Sequence, residues 1–537
     1  METSSSSGDE KKVVETILRY VSQTAVADLS VAEDNKKSSQ DDPGCPLIQS
    51  GKRRRREQKG GGVLNAFTSK VLRKHYHKLL SKIHSNRSLT HLDLTRNNLD
   101  SKMANLLGAM LEKCNTLTHL NLSHNRIGEE GCRSIAEGLG KNPHTKVKDL
   151  DLSYNMVYNE GGVALGQMLR MNASLRNLNL QNCGIFVEGS KAVMAAVARN
   201  ATLQKLCYAN NSTWIDGAEV CYQMLAVNTS LLYLDVSGNF LYADGTKAIA
   251  RGLKVNESLE ALLISANEVD DEGAKALSEA LKVNRILKVL VIHDNLITKV
   301  GAKAIATALQ KNDALQELHL CENAIRDVGV EAFAKAVKRH SGLQKLHLAH
   351  NELKAGCIKS LCKQLSRGGN ITELNLSHNK LEDDGAKQLG MMLSSTTCLK
   401  KLVLKKTRIH REGAKCLAQG LQKNKSLELL ELSSNRILPE GMESLVNALK
   451  TNFTLKRLIL KRIHATSPAI ERQMKNYLQR NINMDILEMK VALLLGTRKV
   501  AGAQSALRKS LQNKAIADLR PLRHVWQFVW DPPGTSQ

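Results

Sequence analysis

LTHLNLSHNRI at 117–127, LQELHLCENAI at 315–325 and ITELNLSHNKL at 371–381 are three copies of one phrase, L-x-x-L-x-L-x-x-N-x-(I/L). Marked by its Asn, the phrase recurs at Asn97, Asn125, Asn155, Cys183, Asn211, Asn239, Asn267, Asn295, Asn323, Asn351, Asn379, Thr407 and Asn435. A degenerate fourteenth copy ends at Ile463. Successive marks are 28 residues apart, except for 30 between Asn125 and Asn155, where Pro143 sits in an insertion. A fixed period sustained over this length is the signature of a solenoid.

Each part of the unit has a physical task. The alternating L-x-L segment predicts a short strand, leucines inward and the intervening residues on the open face. The Asn stands where the strand ends, and its amide can satisfy backbone groups that the turn leaves unpaired. Six residues on comes a Gly, often after an acid, as at Glu130-Gly131, Asp244-Gly245 and Asp384-Gly385. Acid there suits a helix start, where free N–H groups and the dipole favour negative charge. Apolar residues then fall at helical spacing, as at Ala276, Leu277, Ala280 and Leu281. The expected fold is α/β: a curved solenoid of about 14 repeats, parallel sheet inside, helices outside, with helical caps.

This 28-residue strand–helix unit resembles the ribonuclease-inhibitor class of leucine-rich repeats over residues 89–467. The resemblance implies a horseshoe that binds proteins, with partners that differ widely among members. Those members include ribonuclease inhibitor, the GTPase-activating protein of Ran, and the sensor ends of NOD-like receptors. No GxxxxGK(S/T) loop of a nucleotide-binding module is present in the sequence.

Outside the repeats, residues 9–33 are expected to form an amphipathic helix through Val13, Ile17, Leu18 and Val21. It would lie within a mostly disordered segment, 1–62, that is polar and Gly-rich toward its end. Residues 63–88 regain helical spacing and should cap the first repeat. Residues 468–495 read as a second helix, opening a C-terminal cap and basic tail that runs to 537.

The chain carries a formal net charge of +25 in 537 residues. That charge is unevenly distributed: counted along the sequence, residues 51–90 carry +11 and 391–470 carry +10, whereas 91–390 carry only +2. The first excess centres on Lys52, Arg53, Arg54, Arg55 and Arg56, which resemble an import signal. In the second, Lys401, Lys405, Arg457 and Lys461 fall at outward strand positions, with Lys406 beside them, so that one end of the concave face should be positive. Such a surface suits an acidic protein partner, and less well a nucleic acid. Eleven cysteines without CxxC pairs point to a reducing compartment, cytoplasmic or nuclear, and no apolar run approaches a membrane span.

Aromatics are sparse, 18 in all, yet the position three after the mark holds Tyr158, Phe186, Trp214 and Tyr242 in four successive repeats. With Tyr154 nearby they are expected to line the rim where strands turn toward helices, and to anchor a protein partner. No catalytic constellation, metal site or cofactor is indicated. His319 and His347, at equivalent positions of neighbouring strands, read as solvated concave residues. The function expected is a non-enzymatic, monomeric, intracellular protein-binding scaffold. The alternatives are a small-GTPase regulator resembling the Ran activator and a nuclear nucleic-acid-associated factor.

Overall fold

The computed structural model describes residues 26–28, 66–338, 342–463 and 467–495; of these, side chains at 26–28, 66–74, 214–217 and 487–495 are outside the description. The basic run at 52–56 and the tail beyond 495 also lie outside it. Fifteen three-residue strands form one sheet among the described residues, in sequence order and parallel throughout. Strands β2 (His91–Asp93) to β15 (Arg457–Ile459) give the fourteen repeats, and every pairing from β4 (Asp149–Asp151) onward is offset by 28 residues. Among the described residues fifteen helices accompany them, and consecutive helices of the repeats pack side by side. Strands sit ~4.8 Å apart and helices nearer ~10 Å, so the stack must curve with the sheet inside.

The core lies between the two layers. The two leucines of each L-x-L motif, such as Leu374 and Leu376, pack against the inward helix residues, such as Leu389 and Leu393. The marker Asn residues tie repeats together. Asn125 donates through Nδ2 to Leu94 O at 3.0 Å and Leu122 O at 2.8 Å, while its Oδ1 accepts from the N–H groups of Asn97 and Leu99. Cys183 and Thr407 keep part of this pattern through Sγ and Oγ1. A second Asn ladder, not foreseen, runs along the helix C-termini. Asn228 Nδ2 donates to Val197 O and Asn200 O, and its Oδ1 accepts from the N–H groups of Ser230 and Leu231.

Both ends are closed. Helix α1 (Ala66–Ser85) buries Tyr76, Leu79, Leu80 and Ile83 against the first repeat, as the spacing predicts. The expected helix over 9–33 is corrected in part: Val26–Asp28 form strand β1, paired in parallel with β2. The edge of β2 offers free N–H and C=O groups, and a strand satisfies them where a helix cannot. The rest of that stretch lies outside the described residues.

At the other end α15 (Pro468–Leu495) packs against the last helix of the repeats, Pro439–Leu449. Its Arg480 stands 28 residues after Asn452 and donates through Nη2 to Leu449 O and Asn452 O, both at 2.8 Å. These are the carbonyls that the next Asn of the ladder would have taken. Asn481 completes the closure on Leu455 O.

Candidate binding surfaces on the rim and concave face

Every repeat turns out of its strand through a left-handed residue just before the mark, including His124 (φ 56°), Tyr154 (57°), His350 (55°), His378 (58°) and Lys406 (52°). These positions form the rim. Tyr154 stacks on His124, ring centroids 4.2 Å apart and planes 7° off parallel, and Gln181 donates to its hydroxyl. Tyr154 is 39 % exposed, and neighbouring Met156 is 56 % exposed.

The four aromatics in register do start four successive helices, but not in one conformation. Tyr158 and Tyr242 are left-handed first residues of α4 (Tyr158–Met171) and α7 (Tyr242–Val255). Phe186 is the extended N-cap of α5 (Val187–Arg199). Its N–H and that of Gly189 are held by Asn159 Oδ1 of the preceding repeat. Asp271, Asp327 and Asp383 hold Thr298, Lys354 and His410 in the same way, so an Asp or Asn one repeat back holds each of these four extended starts. Trp214 opens α6 (Trp214–Val227), its side chain outside the description. Tyr158 lies over Gly184, where a Cβ would come within 3.2 Å of the ring, so this Gly makes room for it. Among the described residues Tyr158, Phe186 and Tyr242 do not stack on one another. Tyr158 and Phe186 are 38 and 45 % exposed, and Tyr242 is half-buried.

The concave face is less simply basic than its sequence implies. Lys401 Nζ sits 2.6 Å from Glu373 Oε1, and Lys345 Nζ 2.6 Å from Glu317 Oε1. Burial alone would raise the pKa of Glu373, but His347 and Lys401 hold it down to about 2. Lys401 is therefore neutralised, which corrects its place in a positive patch. Lys405 is half-buried and Lys406, Arg457 and Lys461 are exposed, and among the described residues none of the four makes an ion pair.

His319 and His347 do face each other, centroids 4.1 Å apart, yet each is only 1 % exposed, so they are not the solvated pair expected. The long side chains of Glu317, Lys345 and Glu373 flank them in the neighbouring row of the sheet. His319 Nε2 lies 3.5 Å from Glu317 Oε2, at the limit of a hydrogen bond, and burial lowers its pKa to about 4. Among the described residues no group of three His, Cys, Asp or Glu side chains forms a metal site. No described helix is long and apolar enough to cross a membrane.

One surface escaped the sequence reading. Leu263 and Val291 occupy the middle concave row beside Tyr233, Ala261 and Val289, an apolar cluster separate from the core. Strand positions that should alternate to polar hold apolar residues here, and that broken alternation is the signal.

A model described as "Leucine Rich repeat" matches residues 85–102, 113–136, 144–166, 255–278, 311–334, 370–390 and 423–446. The chain is a leucine-rich repeat protein. Among similar curated proteins, human "NACHT, LRR and PYD domains-containing protein 13" is 36 % identical over 94 residues, 17 % of this repeat protein and 9 % of the relative. Mouse "NACHT, LRR and PYD domains-containing protein 4C" is 28 % identical over 122 residues, 18 % of this chain and 12 % of the relative. The repeat protein thus matches only about a tenth of each relative's length. A solved structure of "Leiomodin-1 Actin-Binding Site 2 (ABS2)" covers 35 % of this chain and 94 % of its own, at 16 % identity and a TM-score of 0.27, too low to bear on the argument.

Proposed function

We propose that this protein is a non-enzymatic scaffold that binds a protein partner on the rim of its third to sixth repeats. The reading rests on one observation: Tyr154, Met156, Tyr158 and Phe186 stand 38 to 56 % exposed on the two adjacent loops after β4 and β5 (Asn177–Asn179). Apolar side chains gathered on neighbouring loops are costly to leave in water, and aromatic anchors of this kind dominate binding energies. Trp214 and Tyr242 continue the same edge. The ribonuclease-inhibitor class, to which the 28-residue unit is similar, supports a role in binding proteins inside the cell. No observation favours a GTPase regulator or a nucleic-acid factor over it.

A photo-crosslinking side chain placed at Met156 should give one discrete adduct in cells, and the same probe at Val283, 60 % exposed just after α8 (Asp271–Leu281), should not. Adding Tyr158→Ser and Phe186→Ser should abolish the adduct while the melting temperature moves by only a few degrees. Loss of folding in that variant would show instead that the rings serve packing.

A further inference from the structure

The cations of the C-terminal repeats fall into two sets. At or beside the first strand position three are matched by acids: Lys400 and Lys456 share Glu428, and Lys401 takes Glu373, whereas among the described residues Arg457 at the head of β15 is not matched. Nor are those on the rim. Lys380, Arg408 and Arg436 stand one residue after the mark in three consecutive repeats, each exposed. Lys406 precedes the mark, and Lys405 and Lys461 occupy the last concave row. Among the described residues none of these six has an acidic partner within ion-pair distance.

Backbone bonds place them side by side. His378 N–H donates to Lys405 O, Lys406 N–H to Ser433 O, and Ser434 N–H to Lys461 O. Arg436 N–H donates to Ile409 O, one residue beyond Arg408. Of the nearby acids, Asp383 caps the His410 N–H and Glu352 pairs with Arg326, while Glu382 and Glu431 make no ion pair with any of the six. Stacked His350 and His378, centroids 4.2 Å apart, also feel this charge. Burial and the neighbouring Lys406 lower both pKa values, that of His378 to about 4.

We propose that this rim is a docking groove for an acidic segment of a protein partner, a run of Asp and Glu bound across Lys380, Lys405, Lys406, Arg408, Arg436 and Lys461. Like charges held together without counter-charges cost stability, and a complementary segment relieves that repulsion. Repeats one strand apart, ~4.8 Å, set the cations at a spacing that carboxylates along one chain can follow. A single-stranded RNA would need rings for its bases to stack on. Among the described residues between 350 and 463 no Phe, Tyr or Trp is exposed, and the exposed large apolar side chains are Met391 and Leu438; the rings on this rim are the imidazoles of His350 and His378, already stacked on each other. The groove is separate from the aromatic rim. It rests on the scaffold reading but not on Tyr158 or Phe186.

The test uses the full chain with Lys52, Arg53, Arg54, Arg55 and Arg56 changed to Gln, so that the N-terminal run cannot contribute. A fluorescent oligo-glutamate should bind, more weakly as salt rises. Lys406→Asn with Arg408→Asn should weaken it about tenfold or more, since Asn tolerates the left-handed backbone these positions need. Charge reversal by Lys406→Glu, Arg408→Glu and Arg436→Glu should confer binding to oligo-lysine, a gain that misfolding cannot mimic. Unchanged oligo-glutamate affinity in the Asn variant overturns the proposal. So does tighter binding of an oligouridylate of equal charge, which would make the groove a nucleic-acid site. Loss of the Met156 adduct described above leaves this result untouched, so the two readings fail separately.

Discussion

Asn is the residue on which this fold turns, and it does so twice per repeat. Asn228 is 4 % exposed and uses both amide hydrogens and its oxygen to satisfy four backbone groups. Removing the side chain strands buried carbonyls and N–H groups. Asn228→Ala should therefore cost roughly 1–3 kcal/mol in urea unfolding, whereas an exposed neighbour such as Val227→Ala should cost little; equal effects would show that the ladder is incidental. Asn172, Asn200, Asn228 and Asn256 all sit in N-x-(S/T) wording, and the structure gives each amide nitrogen a carbonyl to hold. The sequons are thus by-products of a turn. His319 acts in the opposite sense. Its folded pKa of about 4 lies below its ordinary 6.5, so the folded state binds this proton more weakly than the unfolded chain. The stability it contributes is complete above about pH 6.5 and is lost as pH falls toward 4. His319→Gln should flatten the decline of the urea midpoint across that window, and an unaltered slope would remove the histidine from the account.

Among elements, those that follow a period were legible and those that answer a neighbour were not. The leucines, the marker Asn residues and the helical spacing of Leu79, Leu80 and Ile83 are visible because repetition or 3.6-residue spacing displays them. Strand β1 is three residues without a pattern, and only the open edge of β2 makes it a strand. Of the left-handed rim positions one holds Gly, Gly238, and the others hold residues such as His, Tyr, Lys and Glu, so composition does not announce them. The aromatic register was visible, but the split between Tyr158 and Phe186 depends on Asn159 one repeat away. The pairing of Lys401 with Glu373 likewise spans 28 residues. The C-terminal cap shows both kinds of information at once. Helix α15 is readable, whereas the substitution of an arginine for the next ladder Asn is not. Arg480 also lies over Phe453, 4.1 Å from the ring centroid, which fixes its fork against the carbonyls. Arg480→Ala together with Asn481→Ala should open the end of the array. Hydrogen exchange at α14 (Pro439–Leu449) and β15 should rise well before that at central helices. Uniform exchange along the chain would mean that α15 is decorative.

At the scale of the whole molecule the chain is a one-dimensional stack, each repeat touching its neighbours, and this makes a severe deletion survivable if it respects the period. Removing residues 257–284 joins Asn256 to Arg285. Asn256 Oδ1 would then accept from the N–H groups of Ile286 and Leu287, the bonds that Asn284 makes now at 2.9 and 2.8 Å. Asn312 would donate to Leu253 O and Asn256 O, the carbonyls that Asn284 holds at 2.8 and 3.0 Å. The L-x-L leucines would stay inward, because repeats on either side present the same set. What disappears is Leu263, and with it half of the buried pair in the concave apolar cluster. The shortened protein should therefore melt cooperatively with its helical signal per residue intact, and small-angle scattering should show a shorter arc. Removing 271–284 instead takes out half a period. It deletes α8 and Asn284 but keeps β8 (Ala261–Leu263), so Leu262 and Ile264 lose the Leu277 and Leu281 of their own repeat, and Asn312 loses Leu281 O and Asn284 O. That variant should lose its cooperative melt, and equal stability of the two deletions would show that the 28-residue register does not hold the array together.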